Sequence, residues 1–277
     1  MDTRAMCQSL DNDNLLIPTN LTVLQTIWNL GVIPNLPTIV SSGRLFLTAY
    51  LAFDVLLRDV PGDFVETGVF TGGSTIVMYK SISSFSKRTR RLFACDSFEG
   101  LPSPTSEDQH GTQLIGNAGW FRAGLDEFMD NMRKFDSANS DVLIPVKGWF
   151  QVSLPNMVDQ YNIESISFLR LDGDLYISTY QPLLHLYSKI SSGGIIYVDD
   201  YFSFNGCRTA VDVFRAQNNI TAQLHIQPFY ERGDISTTDS EAGPRQLIER
   251  MLIVKYGFYA DIPAGEGKTE AVWWRKE

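Results

Sequence analysis

Two short apolar runs that end abruptly in acid constrain this chain more than any other feature. Phe168-Leu169-Arg170-Leu171 runs into Asp172-Gly173-Asp174, and Gly193-Gly194-Ile195-Ile196-Tyr197-Val198 runs into Asp199-Asp200. A short apolar run bounded by glycine reads as a strand buried on both faces, the habit of a parallel sheet. Open α/β sheets bind their ligands beyond the carboxyl ends of such strands. Four Asp residues gathered at that edge repel one another unless something cationic joins them. A divalent metal ion is the expected partner.

The rest of the chain repeats the pattern. Strand-like runs are expected at 63–67, 91–96, 142–146, 166–172 and 195–199, an alternating one at 221–226 and a last one at 271–275. Helical periods fall between them at 74–83, 121–135, 154–161, 179–190 and 207–214. In the period at 121–135, Phe121, Leu125, Phe128, Met129, Met132 and Phe135 form a stripe that reads as core. Strand, helix, strand, repeated, means an α/β fold: a mostly parallel seven-stranded sheet with helices on both faces. Two N-terminal helices precede it, at 21–30 and at 42–58, the second capped by Ser41 or Ser42. The second is apolar nearly all round, so it is expected against the sheet or against a second copy of the chain, which leaves a homo-oligomer open. The expected division is 1–60, an arm and helices packing on the core, and 61–277, the main domain with an insertion at about 228–269. That insertion is too long for an ordinary connection. It carries a helical piece around 246–255 and reads as a lid or substrate wall, or equally as an oligomer contact.

Composition narrows the partners. A net charge of -9 and a pI of about 4.9 lack the basic footprint of a nucleic-acid binder. No apolar run reaches the roughly 18 residues of a membrane span, and no basic-then-apolar leader opens the chain. Cys7, Cys95 and Cys207 are scattered and odd in number, which fits a reducing compartment, so the cytoplasm is the expected location.

The turn Glu66-Thr67-Gly68-Val69-Phe70-Thr71-Gly72-Gly73-Ser74 leads from a strand into a helix. Its spacing is not the G-x-G-x-x-G of dinucleotide enzymes. A carboxylate at Glu66 suits a ligand bearing an ammonium or sulfonium cation, and Gly72-Gly73 let it approach the helix N-terminus. Asp96 closes the second strand, where an acid accepts from ribose hydroxyls, with a helix cap as the bland alternative. Gly148-Trp149-Phe150 follows the third strand, where the aromatics either stack on an adenine or simply pack. For the Asp cluster, hard oxygen donors suit Mg²⁺, with Mn²⁺ or Ca²⁺ as alternatives, and no nearby His argues for zinc. Of the histidines, only His110 is placed to reach a ligand.

These stretches together resemble the macrocin O-methyltransferase family of S-adenosylmethionine (SAM) enzymes, which includes the novobiocin-type sugar O-methyltransferases. The matching motifs are 62–70 with Gly72-Gly73, Asp96-Ser97-Phe98-Glu99-Gly100-Leu101-Pro102, and Gly148-Trp149-Phe150 with Leu154-Pro155. They continue with Leu171-Asp172-Gly173-Asp174-Leu175-Tyr176 plus Ser178-Thr179, then Gly193-Gly194 through Asp199-Asp200-Tyr201. The likeness covers about 61 to 214 and the closing Trp273-Trp274-Arg275. It implies a class I methyltransferase (Rossmann-like) fold, SAM as methyl donor, Mg²⁺ (or Mn²⁺), and a small-molecule acceptor hydroxyl on a sugar or natural product. Carried over residue by residue, Asp172, Asp199 and Asp200 look like the metal ligands and Asp174 like the general base. The cofactor-binding residues carried over are Glu66, Thr67, Gly68, Gly72, Ser74, Asp96, Ser97, Gly148, Trp149, Phe150 and Asp172. Of these, Glu66 and Gly68 belong to the methionine end and Asp96 to the ribose. The 228–269 segment departs from the shorter family pattern and leaves the acceptor unassigned. The rival readings are a nicotinamide-dependent oxidoreductase, against which the glycine spacing and the four acids speak, and a non-catalytic nucleoside-binding scaffold.

Overall fold

The computed structural model describes residues 7–10, 16–18, 21–31, 33–110, 113–114, 116–228 and 269–277. Seven strands form its main sheet: β1 (Asp63–Thr67), β2 (Leu92–Asp96), β3 (Leu143–Lys147), β4 (Ile166–Leu171), β5 (Ile190–Val198), β6 (His225–Pro228) and β7 (Thr269–Arg275). Their spatial order is β6-β7-β5-β4-β1-β2-β3. β1 pairs in parallel with β2 and β4, β2 with β3, and β4 with β5. β7 runs antiparallel to both β5 and β6. The chain moves outward from β1 through β2 to β3, then restarts on the other side at β4. That makes the β1–β4 boundary the switch point at which an open sheet leaves a crevice.

Among the described residues seven helices cover the sheet: α1 (Leu21–Gly31), α2 (Ser42–Leu57), α3 (Gly73–Phe85), α4 (Leu125–Lys134), α5 (Phe150–Gln160), α6 (Tyr176–Leu186) and α7 (Asn205–Gln217). Side chains alternate along each strand, so each sends one set of residues to each face. Phe64, Phe168, Ile195, Tyr197 and Trp273 share a core with α1 to α4, including Ile27, Phe53, Ile76 and Phe128. Val65, Phe93, Leu169, Ile196, Val198 and Trp274 meet α5 to α7, including Leu154, Leu183 and Val211. Burial of each large apolar side chain contributes about 1.5–3 kcal/mol, so both faces of the sheet are stabilising. α2 lies against the sheet within the chain itself. Ser41 caps it, its Oγ accepting from Arg44 N at 3.4 Å. At its far end the buried Asp54 accepts from Arg58 Nε at 3.0 Å and from Arg275 Nη2 at 2.7 Å, which ties α2 to β7. Among the described residues no helix is long and apolar enough to cross a membrane.

Several expected boundaries move. The helix expected over 121–135 begins at Leu125. Phe121 sits before it with φ +54 and is 40% exposed, so it leaves the core stripe that Phe128 and Met132 do occupy. Its spacing to Leu125 looks helical, but Gly124 stands between as the N-cap in extended backbone. β6 starts at His225, not at 221, and β5 starts at Ile190, so its Gly193-Gly194 lies inside the strand. α5 starts at Phe150 directly after Trp149. The insertion at 228–269, with its helix around 246–255, lies outside the described residues except for its two ends. Those ends are paired, Pro228 with Thr269, at the carboxyl edge of the sheet. β6 is parallel to β5, so the connection leaves and re-enters on the side where the acids lie.

Candidate active site

A cavity of about 670 Å³ opens at the carboxyl edge beside the switch point, a size typical of small-molecule sites. Its floor holds Asp172, Asp174, Asp199 and Asp200. β4 and β5 deliver these acids because they are adjacent and end in register, Leu171 opposite Val198. One oxygen each from Asp172, Asp199 and Asp200 lies within 4.8 Å of the others.

Arg170 organises the acids from beneath. Parallel pairing sets Glu66 of β1, Arg170 of β4 and Tyr197 of β5 side by side. Arg170 is 0% exposed. Its Nη1 donates to Glu66 Oε1 at 3.1 Å and to Asp172 Oδ2 at 2.5 Å, and its Nη2 donates to Asp199 Oδ1 at 2.8 Å. Its guanidinium also lies 5.3 Å from the centre of the Tyr197 ring, whose hydroxyl donates to Asp199 Oδ1 at 2.8 Å. The planar fork of Arg, with five donors, is what allows one cation to serve three carboxylates. Arg44, in the first turn of α2, ion-pairs with Asp199 Oδ2 from above.

The charges do not balance. Glu66, Asp172, Asp174, Asp199 and Asp200 face only Arg44 and Arg170 among the described residues. Burial opposes ionisation of Asp199, but Arg170 and Arg44 outweigh it and hold its pKa below the ordinary carboxylate value. Asp172 is raised by burial and by Asp199, with Arg170 offsetting part of it. Asp174 is pushed well above the ordinary value by burial, then by Asp172 and Asp199. Asp200 is pushed well above it by burial, then by Asp174, Asp172 and Asp199. Asp200 is 5% exposed, and its Oδ2 is buried without a hydrogen-bond partner among the described residues. An orphaned buried oxygen in an excess of acids is what a hard divalent cation would satisfy. The donor set therefore fits Mg²⁺ or Mn²⁺.

The remaining expected residues divide. Gly68, Ser74, Asp96, Ser97, Gly148, Trp149 and Phe150 line the cavity, whereas Glu66, Thr67 and Gly72 do not. Glu66 is fully buried behind the wall, its second oxygen accepting from Thr75 Oγ1 at 2.5 Å. Alternation along β1 turns the Glu66 carboxylate to the α1–α4 face, beside Arg170. Burial raises its pKa, with Arg170 offsetting part of the effect. Asp96 ties the glycine-rich turn to β2. Its Oδ2 accepts from Val69 N at 2.8 Å and its Oδ1 from Phe98 N at 2.7 Å. Ser97 Oγ donates to Gly100 O at 2.8 Å. The side chain of His110 lies outside the described residues. Three contributors escaped the sequence reading: Arg170, Arg44, and the α1–α2 link, whose Thr38 and Ile39 form part of the wall.

Gly68 shows why the turn is glycine. Its φ is +86, and a Cβ there would lie 1.7 Å from Asp172 O. Gly68→Ala is expected to lower stability by about 2–4 kcal/mol, combining the left-handed backbone with overpacking. Thermal unfolding of the variant against wild type checks this. An unchanged melting temperature would mean that the turn and Asp172 do not approach in this way.

The comparisons with known proteins follow the same lines. The Macrocin-O-methyltransferase (TylF) family matches residues 34–227, well over half the chain. The demethyldecarbamoylnovobiocin O-methyltransferase of Streptomyces niveus is 34% identical over 193 residues, 69% of this chain and 72% of that one. A tetracenomycin rhamnosyl 4'-O-methyltransferase of Streptomyces olivaceus is 34% identical over 188 residues, 66% of this chain and 69% of the other. Among solved structures, the O-methyltransferase NovP superposes with a TM-score of 0.64 at 28% identity, covering 91% of this chain and 88% of its own. An O-methyltransferase from Bacillus cereus shares the fold with a TM-score of 0.51 at 12% identity, covering 94% and 93%. Sheet order, acidic edge and sequence likeness thus agree, and the chain belongs to the macrocin O-methyltransferase family, O-methyltransferases with the class I methyltransferase fold.

Proposed function

We propose that this enzyme transfers a methyl group from S-adenosylmethionine to a hydroxyl of a sugar or similar ring on a small natural product, and that it uses Mg²⁺ or Mn²⁺. The observation that carries the metal is the buried Oδ2 of Asp200, which has no hydrogen-bond partner among the described residues, beside Asp172 and Asp199. The acceptor class is supported by relatives whose names specify novobiocin-type, tetracenomycin rhamnosyl and mycinamicin substrates. With the family established, neither a nicotinamide-dependent nor a non-catalytic reading has an observation in its favour.

Asp172, Asp199 and Asp200 would hold the ion. When bound, it supplies a Lewis acid that lowers the pKa of an acceptor hydroxyl. S-adenosylmethionine supplies the methyl group. The protein's own residues do the rest. Arg170 and Arg44 fix Asp199, so that its orientation does not depend on the ligand. Asp174 takes the proton of the acceptor hydroxyl: burial and the neighbouring Asp172 and Asp199 push its pKa well above the ordinary carboxylate value, which makes it a stronger base than a free carboxylate. The turn from Gly68 to Ser74 admits the cofactor close to the backbone and to the start of α3. Trp149 offers a ring face beside Gly148 for the adenine, and Asp96 lies at the ribose end.

The test is methyl transfer from radiolabelled SAM to a panel of sugars, macrolides, catechols and flavonoids, in enzyme treated with EDTA and then resupplied with Mg²⁺ or Mn²⁺. Turnover is expected to fall to background with EDTA and to return with either ion. Full turnover in EDTA would remove the metal from the mechanism. Transfer confined to catechols would overturn the sugar-hydroxyl assignment.

A further inference from the structure

The segment between β2 and α4 forms one wall of the cavity through Gly100, Leu101 and Pro102. No strand of the main sheet carries it. Asp108 fixes it, as the last residue of a single 3-10 turn, Ser106–Asp108. Asp108 is 2% exposed although it sits in a polar loop. Its Oδ2 accepts from Thr105 N at 2.8 Å and from Thr105 Oγ1 at 3.1 Å, which keeps the local turn closed. Its Oδ1 accepts from Tyr176 N at 2.7 Å, the first amide of α6 and 68 residues further on.

That bond replaces a missing cap. The residue before α6 is Leu175, which has no side chain to accept from the first turn. An acid at the positive end of a helix is favourable both as a hydrogen-bond acceptor and against the helix dipole. α7 closes on the same carboxylate. A Cβ on Gly206 would lie 1.8 Å from Asp108 Oδ1, so only glycine admits the acid at that place.

Both helices begin where the acids end. Tyr176 comes just after Asp174, whose φ of +59 is a conformation that only surrounding structure maintains. Leu175 N donates back to Gly173 O at 2.6 Å, so the chain from Asp172 to Tyr176 is one tight turn, anchored at its far end by Asp108. Gly206 follows Asp200 through a turn in which Phe204 N donates to Asp200 O at 3.0 Å.

We infer that Asp108 is a positioning residue for methyl transfer: one carboxylate clasps the cavity wall to the two helix starts that orient Asp174 and Asp200. It does not line the cavity. The inference rests on Asp174 as the base, and it adds the device that sets where that base stands.

Three variants test it. Asp108→Ala removes both arms of the clasp. Asp108→Asn keeps a carbonyl oxygen for Tyr176 N and loses an acceptor on the Thr105 side. Ile82→Val, in the buried core of α3, is a mild destabilisation far from the clasp. Hydrogen exchange on the cofactor-free protein is expected to quicken about tenfold at Tyr176 N and Thr105 N in Asp108→Ala. In Asp108→Asn only Thr105 N should quicken, and in Ile82→Val neither. With 4-nitrophenyl α-L-rhamnoside as the acceptor probe, kcat should fall about 10²-fold in Asp108→Ala, while S-adenosylhomocysteine affinity stays within about twofold. Asp108→Asn should recover most of that rate. Unchanged exchange at Tyr176 in Asp108→Ala, or a kcat equal to that of Ile82→Val, would overturn the clasp. If Asp108→Ala does not fold, Asp108→Asn decides: wild-type exchange at Thr105 overturns the clasp, and selective quickening there supports it. Should wild type methylate neither the rhamnoside nor any acceptor of the panel, the methyl-transfer reading fails, while the exchange measurement still decides the clasp.

Discussion

Substitution of Arg170 by methionine is expected to lower the melting temperature by on the order of 10 °C, or to leave the chain unfolded at ambient temperature. Methionine matches the stem of arginine in length, so the effect is electrical more than steric. Arg170 is 0% exposed and donates to Glu66, Asp172 and Asp199 at once. Without it, Glu66 keeps only hydroxyl donors in a fully buried place, and Asp199 depends on Arg44 and Tyr197. Removing one partner of a buried ion pair costs about 3–5 kcal/mol, against a total stability of about 5–15 kcal/mol. Arg170→Lys should fall between, because a single ammonium cannot fork to three carboxylates. Arg170→Met combined with Glu66→Gln should recover part of the loss, because the most deeply buried acid is then neutral. Differential scanning calorimetry of the four proteins reads this directly. A single variant that melts with wild type would show that the acids are not held by Arg170.

The largest effect on rate is expected at Asp174. Asp174→Asn should lower kcat by about 10²–10⁴-fold, the usual contribution of a positioned base, while S-adenosylhomocysteine binds as before. Asn is the informative replacement for two reasons. It is nearly isosteric, and it tolerates the left-handed backbone that Asp174 adopts at φ +59. Asp174→Ala would add about 1–2 kcal/mol of backbone strain and confuse stability with chemistry. Single-turnover measurement separates the chemical step from product release. A chemical step for Asp174→Asn as fast as that of wild type would place the base elsewhere.

Much of the sheet was legible because its strands are short, apolar and buried on both faces. The run from Phe168 to Leu171 and the run from Ile195 to Val198 have little choice but to pair in the interior. The acids that end them must then meet at one edge. The ends of elements were less legible where glycine intervened. Phe121 shares the spacing of a helical stripe but stands outside α4 in a turn, and it lines the cavity. The setting of Glu66 was less legible for a different reason. Its place at the end of β1 suggested a ligand contact, but the face to which it points depends on strand alternation and on its neighbour across the pair. That neighbour, Arg170, was visible as an odd charge within an apolar run. Its meaning required the register of β1 against β4.

The sequence by itself determined the parallel sheet, the acidic edge and the glycine turn beneath it, because each depends on residues close together in the chain: apolar period, strand ends and φ-permissive positions. Only the tertiary structure decided how the acids are held. Arg170 meets Glu66 across 104 residues, Arg44 meets Asp199 across 155, and Asp108 meets Tyr176 across 68. Contacts at such separations leave no periodic trace in the chain. They arise when strand register and helix packing bring the partners together, and the cost of burying unpaired charge keeps them there.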